Sequence, residues 1–215
     1  MTAKIKTDGI IFDMDGTIWD NTGAFAASWN RACHDLGYDT AFTSETLKKE
    51  FGQTMEKIAD DIIPDPVPEK RYRALHLCEE YEMVDLVKNG EDTTYPGLEE
   101  TLLKLAENIP LYVVSNCQSG YIETYFELSG HGKYFKKILC YGDNKLPKAG
   151  NIKKIMEEEG LKHPVYVGDI QSDKNSCDEA GCDFIWASYG YGKSVDSYVA
   201  KIGDIKELAD ICEPV

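Results

Sequence analysis

Five short runs of β-branched and aromatic residues, separated by helix-length segments, constrain this chain more than any other feature. They are Gly9–Asp13 (GIIFD), Leu111–Ser115 (LYVVS), Lys137–Tyr141 (KILCY), Val165–Gly168 (VYVG) and Asp183–Ala187 (DFIWA). Runs that are apolar throughout, rather than alternating, read as strands buried on both faces. Between them the apolar period lengthens to that of a helix. Leu98, Leu102, Leu105, Ala106 and Ile109 share one face after Pro96-Gly97, and Ile152, Ile155 and Met156 do so ahead of Gly160, a helix-ending glycine. Strands alternating with helices imply right-handed crossovers, hence an α/β fold with a Rossmann-like, doubly wound parallel sheet.

One interval breaks the rhythm. Residues 19–89 carry helical patterns and no convincing strand, far more chain than a single crossover needs. Met55, Ile58, Ala59, Ile62 and Ile63 form an i, i+3, i+4, i+7, i+8 stripe, which Pro64, Pro66 and Pro68 terminate. A longer helix then runs to about Lys88. The expected organisation is a core made of residues 1–18 and 90–215, carrying a helical cap at 19–89. The linkers fall near Trp19–Asn21 and Asn89–Thr94.

Composition narrows the partners. The formal net charge is -15, and the only arginines are Arg31, Arg71 and Arg73, so neither nucleic acid nor an anionic membrane finds a basic face. No apolar run approaches membrane-spanning length, and the N-terminal MTAKIKTDG lacks an apolar signal region, so a cytoplasmic location is expected. The seven cysteines, at 33, 78, 117, 140, 177, 182 and 212, include no CxxC pair. They read as reduced, buried thiols rather than a zinc site.

In an open parallel sheet, ligands bind beyond the carboxyl ends of the strands, and the polar residues of this chain gather there. The first run ends in Asp13-Met14-Asp15-Gly16-Thr17, and the second in Ser115-Asn116. The fourth ends in Gly168-Asp169 and continues to Asp173. Lys148 opens the helical pattern before the fourth run. With DMDGT after one apolar strand and GDxxxD after another, the chain resembles the haloacid dehalogenase superfamily of phosphotransferases, in its capped phosphoglycolate phosphatase-like and β-phosphoglucomutase-like subgroup.

The resemblance implies a Mg²⁺-dependent attack on a small phosphomonoester. Asp13 corresponds to the nucleophile that becomes an aspartyl-phosphate. Asp15 corresponds to the general acid–base and also lends its main-chain carbonyl to the metal. Asp13, Asp15 and Asp169 would hold Mg²⁺, with Asp173 behind them orienting a metal-bound water or Lys148. Ser115, Asn116 and Lys148 would bind the phosphate. Lys145 is the competing lysine, and Lys148 is favoured because it stands where the helix starts. An isoleucine, Ile170, follows Gly168-Asp169 where the family often has a small or hydroxylated residue.

Plainer readings exist for each feature. A DxDG sequence is also a common turn, and only its pairing with GDxxxD makes catalysis the better account. Trp19 and Asp20 read equally as hinge packing or as substrate contacts, and Gly52-Gln53-Thr54 as a cap loop or a helix-to-helix turn. Lys48 and Lys49 read as a solvated face. The four histidines need no role, and Cys117 lacks the nearby arginine that a cysteine phosphatase requires. At the level of function, hydrolysis of a phosphoglycolate-like ester, sugar phosphate or nucleotide competes with phosphomutase chemistry and with a non-catalytic binding protein. A monomer and a homodimer are not distinguished.

Overall fold

The computed structural model describes residues 4–89 and 93–215. The chain forms β1 (Ile5–Thr7) and β2 (Gly9–Phe12), then four helices: α1 (Thr22–Asp35), α2 (Ser44–Glu50), α3 (Met55–Ile62) and α4 (Pro68–Asn89). Strands and helices then intermix as α5 (Leu98–Ala106), β3 (Leu111–Ser115), α6 (Tyr121–Ser129), β4 (Phe135–Cys140), α7 (Tyr141–Asn144) and α8 (Lys148–Glu159). β5 (Pro164–Gly168), α9 (Gln171–Ala180), β6 (Asp183–Ala187), β7 (Ala200–Ile202), α10 (Leu208–Ile211) and β8 (Cys212–Pro214) follow.

Six strands form one parallel sheet in the order β4-β3-β2-β5-β6-β7. The chain therefore winds outward in one direction from β2 and then returns to wind in the other. Successive residues of each strand feed opposite cores. Ile10, Phe12, Val113 and Val167 pack on one face with α5 and α6, while Ile11, Tyr112, Val114 and Tyr166 pack on the other with α8 and α9. Ile10, Ile11 and Phe12 have no exposed surface. Burial of each such side chain contributes about 1.5–3 kcal/mol. This is why the apolar runs show no alternation.

β4 starts two residues before the expected run and stops at Cys140, because Tyr141 already belongs to the short helix α7. β1 and β8 pair with each other in a small parallel sheet apart from the main one. These strands and β7 are three residues long, too short to leave a period in the sequence.

Between β2 and β3, the helices of residues 22–89 pack on one another and continue the apolar cluster on the Ile10 and Phe12 face of the sheet. α1 turns Phe25, Trp29, Ala32 and Cys33 inward, and α4 answers with Ala74, Leu75, Cys78 and Leu86. Cys33 Sγ lies 3.8 Å from Cys78 Sγ. In α3 the stripe is buried at Met55, Ile58 and Ala59, continuing to Ile63. Where the chain leaves and re-enters the sheet region, its two passages run side by side. Asp20 N donates to Thr93 O (3.1 Å) and Thr93 Oγ1 to Asn21 Oδ1 (2.6 Å). Residues 90–92 of the expected second linker, and 1–3 at the N-terminus, lie outside the described residues.

Candidate active site

The winding reverses between β2 and β5, and a parallel sheet opens a crevice at such a switch point beyond its carboxyl edge. Register decides what lands there. Phe12 pairs with Val167, and Asp13 N donates to Val167 O (2.8 Å), so Asp13 and Asp169 emerge side by side. Lys148, the first residue of α8, reaches in from below. Its Nζ donates to Asp13 Oδ1 (2.7 Å) and to Asp173 Oδ1 (2.6 Å), all three residues being buried. Asp173 Oδ2 in turn accepts from the main-chain N–H groups of Asp169 (3.1 Å) and Ile170 (3.3 Å), closing the turn that opens α9. Asp173 is thereby fully engaged as a positioning group. Gly16 has φ +82°, and a methyl group there would run into Asp169 Oδ2, so both conformation and space require glycine.

Three acids share one lysine. Burial, reinforced by the charge of Asp173, raises the Asp13 carboxyl, against the opposing pull of Lys148. Burial raises Asp169 as well, again with Asp173 and Asp13 adding to it. For Lys148, burial would favour the neutral amine, but the carboxylates of Asp13 and Asp173 override it and lift its pKa. Two oxygens remain without a hydrogen-bond partner while buried: Asp13 Oδ2 and Asp169 Oδ1. Ligand oxygens of Asp13, Asp169 and Asp173 all lie within 4.8 Å of one another. Buried carboxylates this close together, two of them with an unpaired oxygen, fit a hard divalent cation, which would supply the missing positive charge. Among the described residues this is the cluster of metal-ligating side chains.

Asp15 stands over the same crevice. Its Oδ1 accepts from Tyr121 Oη (2.6 Å) and Trp19 Nε1 (3.1 Å). Burial lifts its carboxyl to about 6, although both hydrogen bonds favour the charged form. A carboxyl poised there can give a proton and take it back near neutral pH. The cleft above Asp13 and Asp15 is nearly closed, with a volume of about 20 Å³, room for about one water. Ser115 and Asn116 line it from β3, while Phe51, Gly52 and Glu82 line it from the helical stretch.

Several sequence expectations acquire positions. Lys145 is on the surface, paired with Glu56 (3.2 Å), whereas Lys148 is buried beside Asp13. Ser115 is buried at the strand end, its Oγ accepting from Cys117 N (3.4 Å). Asn116 Nδ2 donates to Gly52 O (2.8 Å), so this side chain ties the core to the helical stretch. Gly52, at φ +93°, packs so closely on Ile170 that a methyl group would collide with it. The isoleucine is the floor on which the Gly52 turn rests. Trp19 packs edge-on against Tyr121 and Tyr125 besides bonding Asp15. Lys48 is engaged by Asp20 (2.6 Å). All seven cysteines are free thiols.

Sequence reasoning missed Tyr121, Tyr191 and Glu82. Tyr191 N donates to Asp169 Oδ2 (2.5 Å) from a loop that carries no motif. Glu82 did leave a signal. Cys78, Glu82 and Leu86 follow at four-residue steps on the buried face of α4, so an acid interrupts an apolar stripe. Its carboxylate accepts from Trp29 Nε1 (2.8 Å) and Gln118 Nε2 (2.9 Å), and burial pushes its pKa up to about 8.

A doubly wound sheet with an acid–lysine cluster at its switch point defines a class of hydrolase, and the comparisons agree. Residues 10–187 match the family described as haloacid dehalogenase-like hydrolase, and the chain belongs to that family. It is similar to the phosphoglycolate phosphatases of Vibrio cholerae (27% identical, covering 85% of this chain and 84% of the relative) and Escherichia coli K12 (23%, covering 87% and 84%). The crystal structure of a predicted phosphoglycolate phosphatase from Haemophilus somnus superposes with a TM-score of 0.80 at 22% identity, covering 95% of this chain and 97% of that one. The chain is an enzyme of the phosphoric monoester hydrolase class. No helix of the described residues is long and apolar enough to cross a membrane.

Proposed function

We propose that this enzyme hydrolyses a small phosphomonoester through an aspartyl-phosphate on Asp13, with Mg²⁺ held by Asp13, Asp169 and the main-chain carbonyl of Asp15. The observation that carries this reading is the pair of buried, unpartnered oxygens, Asp13 Oδ2 and Asp169 Oδ1, beside an ammonium already bonded to Asp13. When bound, Mg²⁺ offsets the charge that otherwise keeps a carboxylate from approaching a phosphoryl dianion.

Asp13 attacks phosphorus, the bond to the alcohol oxygen breaks, and Asp15 gives its proton to the departing alkoxide. Asp15 then takes a proton from the water that attacks the acyl phosphate, which releases inorganic phosphate and restores both aspartates. Lys148 holds Asp13 in line and neutralises phosphoryl charge, and Ser115 and Asn116 donate to phosphoryl oxygens. For Asn116 this requires release of its bond to Gly52. Residues 19–89 act as a cap that closes over the organic part of the substrate and keeps bulk water out.

The test is phosphate release from a panel of esters that includes phosphoglycolate, the compound named for the relatives above. EDTA is expected to abolish release and Mg²⁺ to restore it, while Ca²⁺, with longer bonds and more ligands, occupies the site without supporting turnover. Undiminished release after rigorous chelation contradicts the proposal. Isomerisation of a sugar phosphate without net phosphate release would identify a mutase instead.

Asp15→Asn separates the acid role from metal binding, since the main-chain carbonyl survives the change. Turnover of an alkyl ester is expected to fall by about 10²–10⁴. Phosphorylation by an activated aryl phosphate, whose leaving group needs little protonation, should fall much less. Rapid-quench measurement of the aspartyl-phosphate step with both esters decides it, and equal losses would remove Asp15 from the acid role.

A further inference from the structure

Asp20 and Tyr191 carry contacts that the phosphoryl site does not use. Asp20 lies on the first passage out of the sheet region, where its N–H donates to Thr93 O. Its carboxylate gathers partners from three segments. Oδ1 accepts from Thr22 N (3.1 Å) and Thr22 Oγ1 (2.6 Å) at the start of α1, and from Tyr191 Oη (3.3 Å) on the loop after β6. Oδ2 pairs with Lys48 Nζ (2.6 Å) of α2, and that ammonium stands 5.4 Å from the centre of the Tyr191 ring. Thr22 Oγ1 also meets Ser44 Oγ (2.6 Å), on the first residue of α2. One carboxylate thus joins the hinge, the cap and a loop of the core.

The main chain of the same tyrosine reaches the metal site. Tyr191 N donates to Asp169 Oδ2 (2.5 Å), while Asp169 Oδ1 is the buried oxygen without a partner. The loop has no slack. A methyl group on Gly190 would fall 2.3 Å from Gly16 O and 2.4 Å from Asp169 Cβ, and one on Gly192 would fall 2.1 Å from Asp169 O. Tyr189 Oη, donating to Thr17 O (2.9 Å), fixes the entry to the loop. We propose that Tyr191 is a positioning residue that couples the hinge of the cap to the metal ligand Asp169, through its hydroxyl on Asp20 and its N–H on Asp169 Oδ2. This rests on the metal and cap reading above. With the hinge closed, the loop is anchored on Asp20, one oxygen of Asp169 is held, and the other is left for the cation. A hinge that opens and draws Asp20 and Lys48 away removes the outer anchor, and Asp169 loses its fixed orientation. Linkage makes the effect reciprocal, so a bound cation favours the closed hinge by the same factor.

Two measurements on the full chain without substrate test this: Mg²⁺ binding by isothermal titration, and amide hydrogen exchange. Tyr191→Phe keeps the ring and the N–H and removes only the contact to Asp20. It should weaken Mg²⁺ binding by about fivefold, the low end of coupling between sites, and leave the melting midpoint in EDTA near that of the wild type. Gly192→Ala pushes the loop off Asp169 and should weaken Mg²⁺ binding by about 10–100-fold, the usual cost of losing a partner of a metal ligand. In the wild type, Mg²⁺ should slow exchange of the Asp20 and Thr22 amides by about fivefold, and in Tyr191→Phe it should leave them unchanged. A tyrosine that only packs would lower the melting midpoint in EDTA and leave Mg²⁺ affinity at the wild-type value, which overturns the proposal. So would slowing of the two amides by Mg²⁺ that survives in Tyr191→Phe. If Gly192→Ala fails to fold, the tyrosine variant decides alone. A wild type that binds no Mg²⁺ removes the metal reading itself, and this proposal with it.

Discussion

Turnover is expected to vanish in Asp13→Asn while the fold persists. Loss of a general acid or base costs about 10²–10⁴, but removal of the nucleophile eliminates the covalent route, and losses near 10⁶ follow in enzymes that depend on one. The neutral amide can still accept from Lys148, so the local geometry has no reason to collapse. Burial and Asp173 raise the Asp13 carboxyl above its ordinary value. Its ionisation therefore weakens the metal-free fold as pH rises, and the amide lifts that penalty. The thermal midpoint of the variant in EDTA at neutral pH should equal or exceed that of the wild type. Steady-state phosphate release and a melting curve check both halves. Residual turnover within tenfold of wild type would assign the nucleophile elsewhere.

Lys148→Met is expected to damage activity and stability together. The ammonium bridges Asp13 Oδ1 and Asp173 Oδ1 in a site without solvent. Methionine fills nearly the same volume but leaves both carboxylates buried without their cation. Breaking a buried ion pair from one side typically costs about 3–5 kcal/mol. For a chain of this size that corresponds to roughly 6–20 °C in the melting midpoint. Bound Mg²⁺ should recover part of the stability, since it supplies charge to Asp13, but not the activity, because the phosphoryl oxygens lose their ammonium partner. A variant that melts with the wild type in EDTA would show that the two acids are protonated and that Lys148 contributes little to the fold.

The strands that carry the site were legible because parallel strands buried on both faces must be apolar throughout. β2, β3, β5 and β6 leave that mark, and each of the first three ends on polar residues that have nowhere to point but outward. The three-residue strands leave no such mark, and the sheet edge at β7 was invisible for that reason. Asp13, Asp15, Asp169 and Asp173 stood out through spacing, since DxD and GDxxxD each follow an apolar strand. Lys148 was favoured over Lys145 because it opens a helix. Its burial against two carboxylates was a fact that spacing alone does not contain.

What the sequence determined by itself is the frame: an α/β core, a long helical insertion after its first strand, and acids at the strand ends. These follow from local physics, because burial sets the apolar period, and backbone geometry sets which residues can end a strand. The tertiary structure alone decided what meets across long separations. Register between β2 and β5 set Asp13 beside Asp169, and a loop near Tyr191 closed over the second of these. The docking of α4 brought Glu82 to a cleft whose other walls come from Asp13, Asp15 and residues of the segments 51 to 58 and 115 to 121. No local rule predicts such contacts, since their energy depends on packing between segments far apart in the chain. For the same reason the acid inside the stripe of α4 could be seen in the sequence, while the cleft it lines could not.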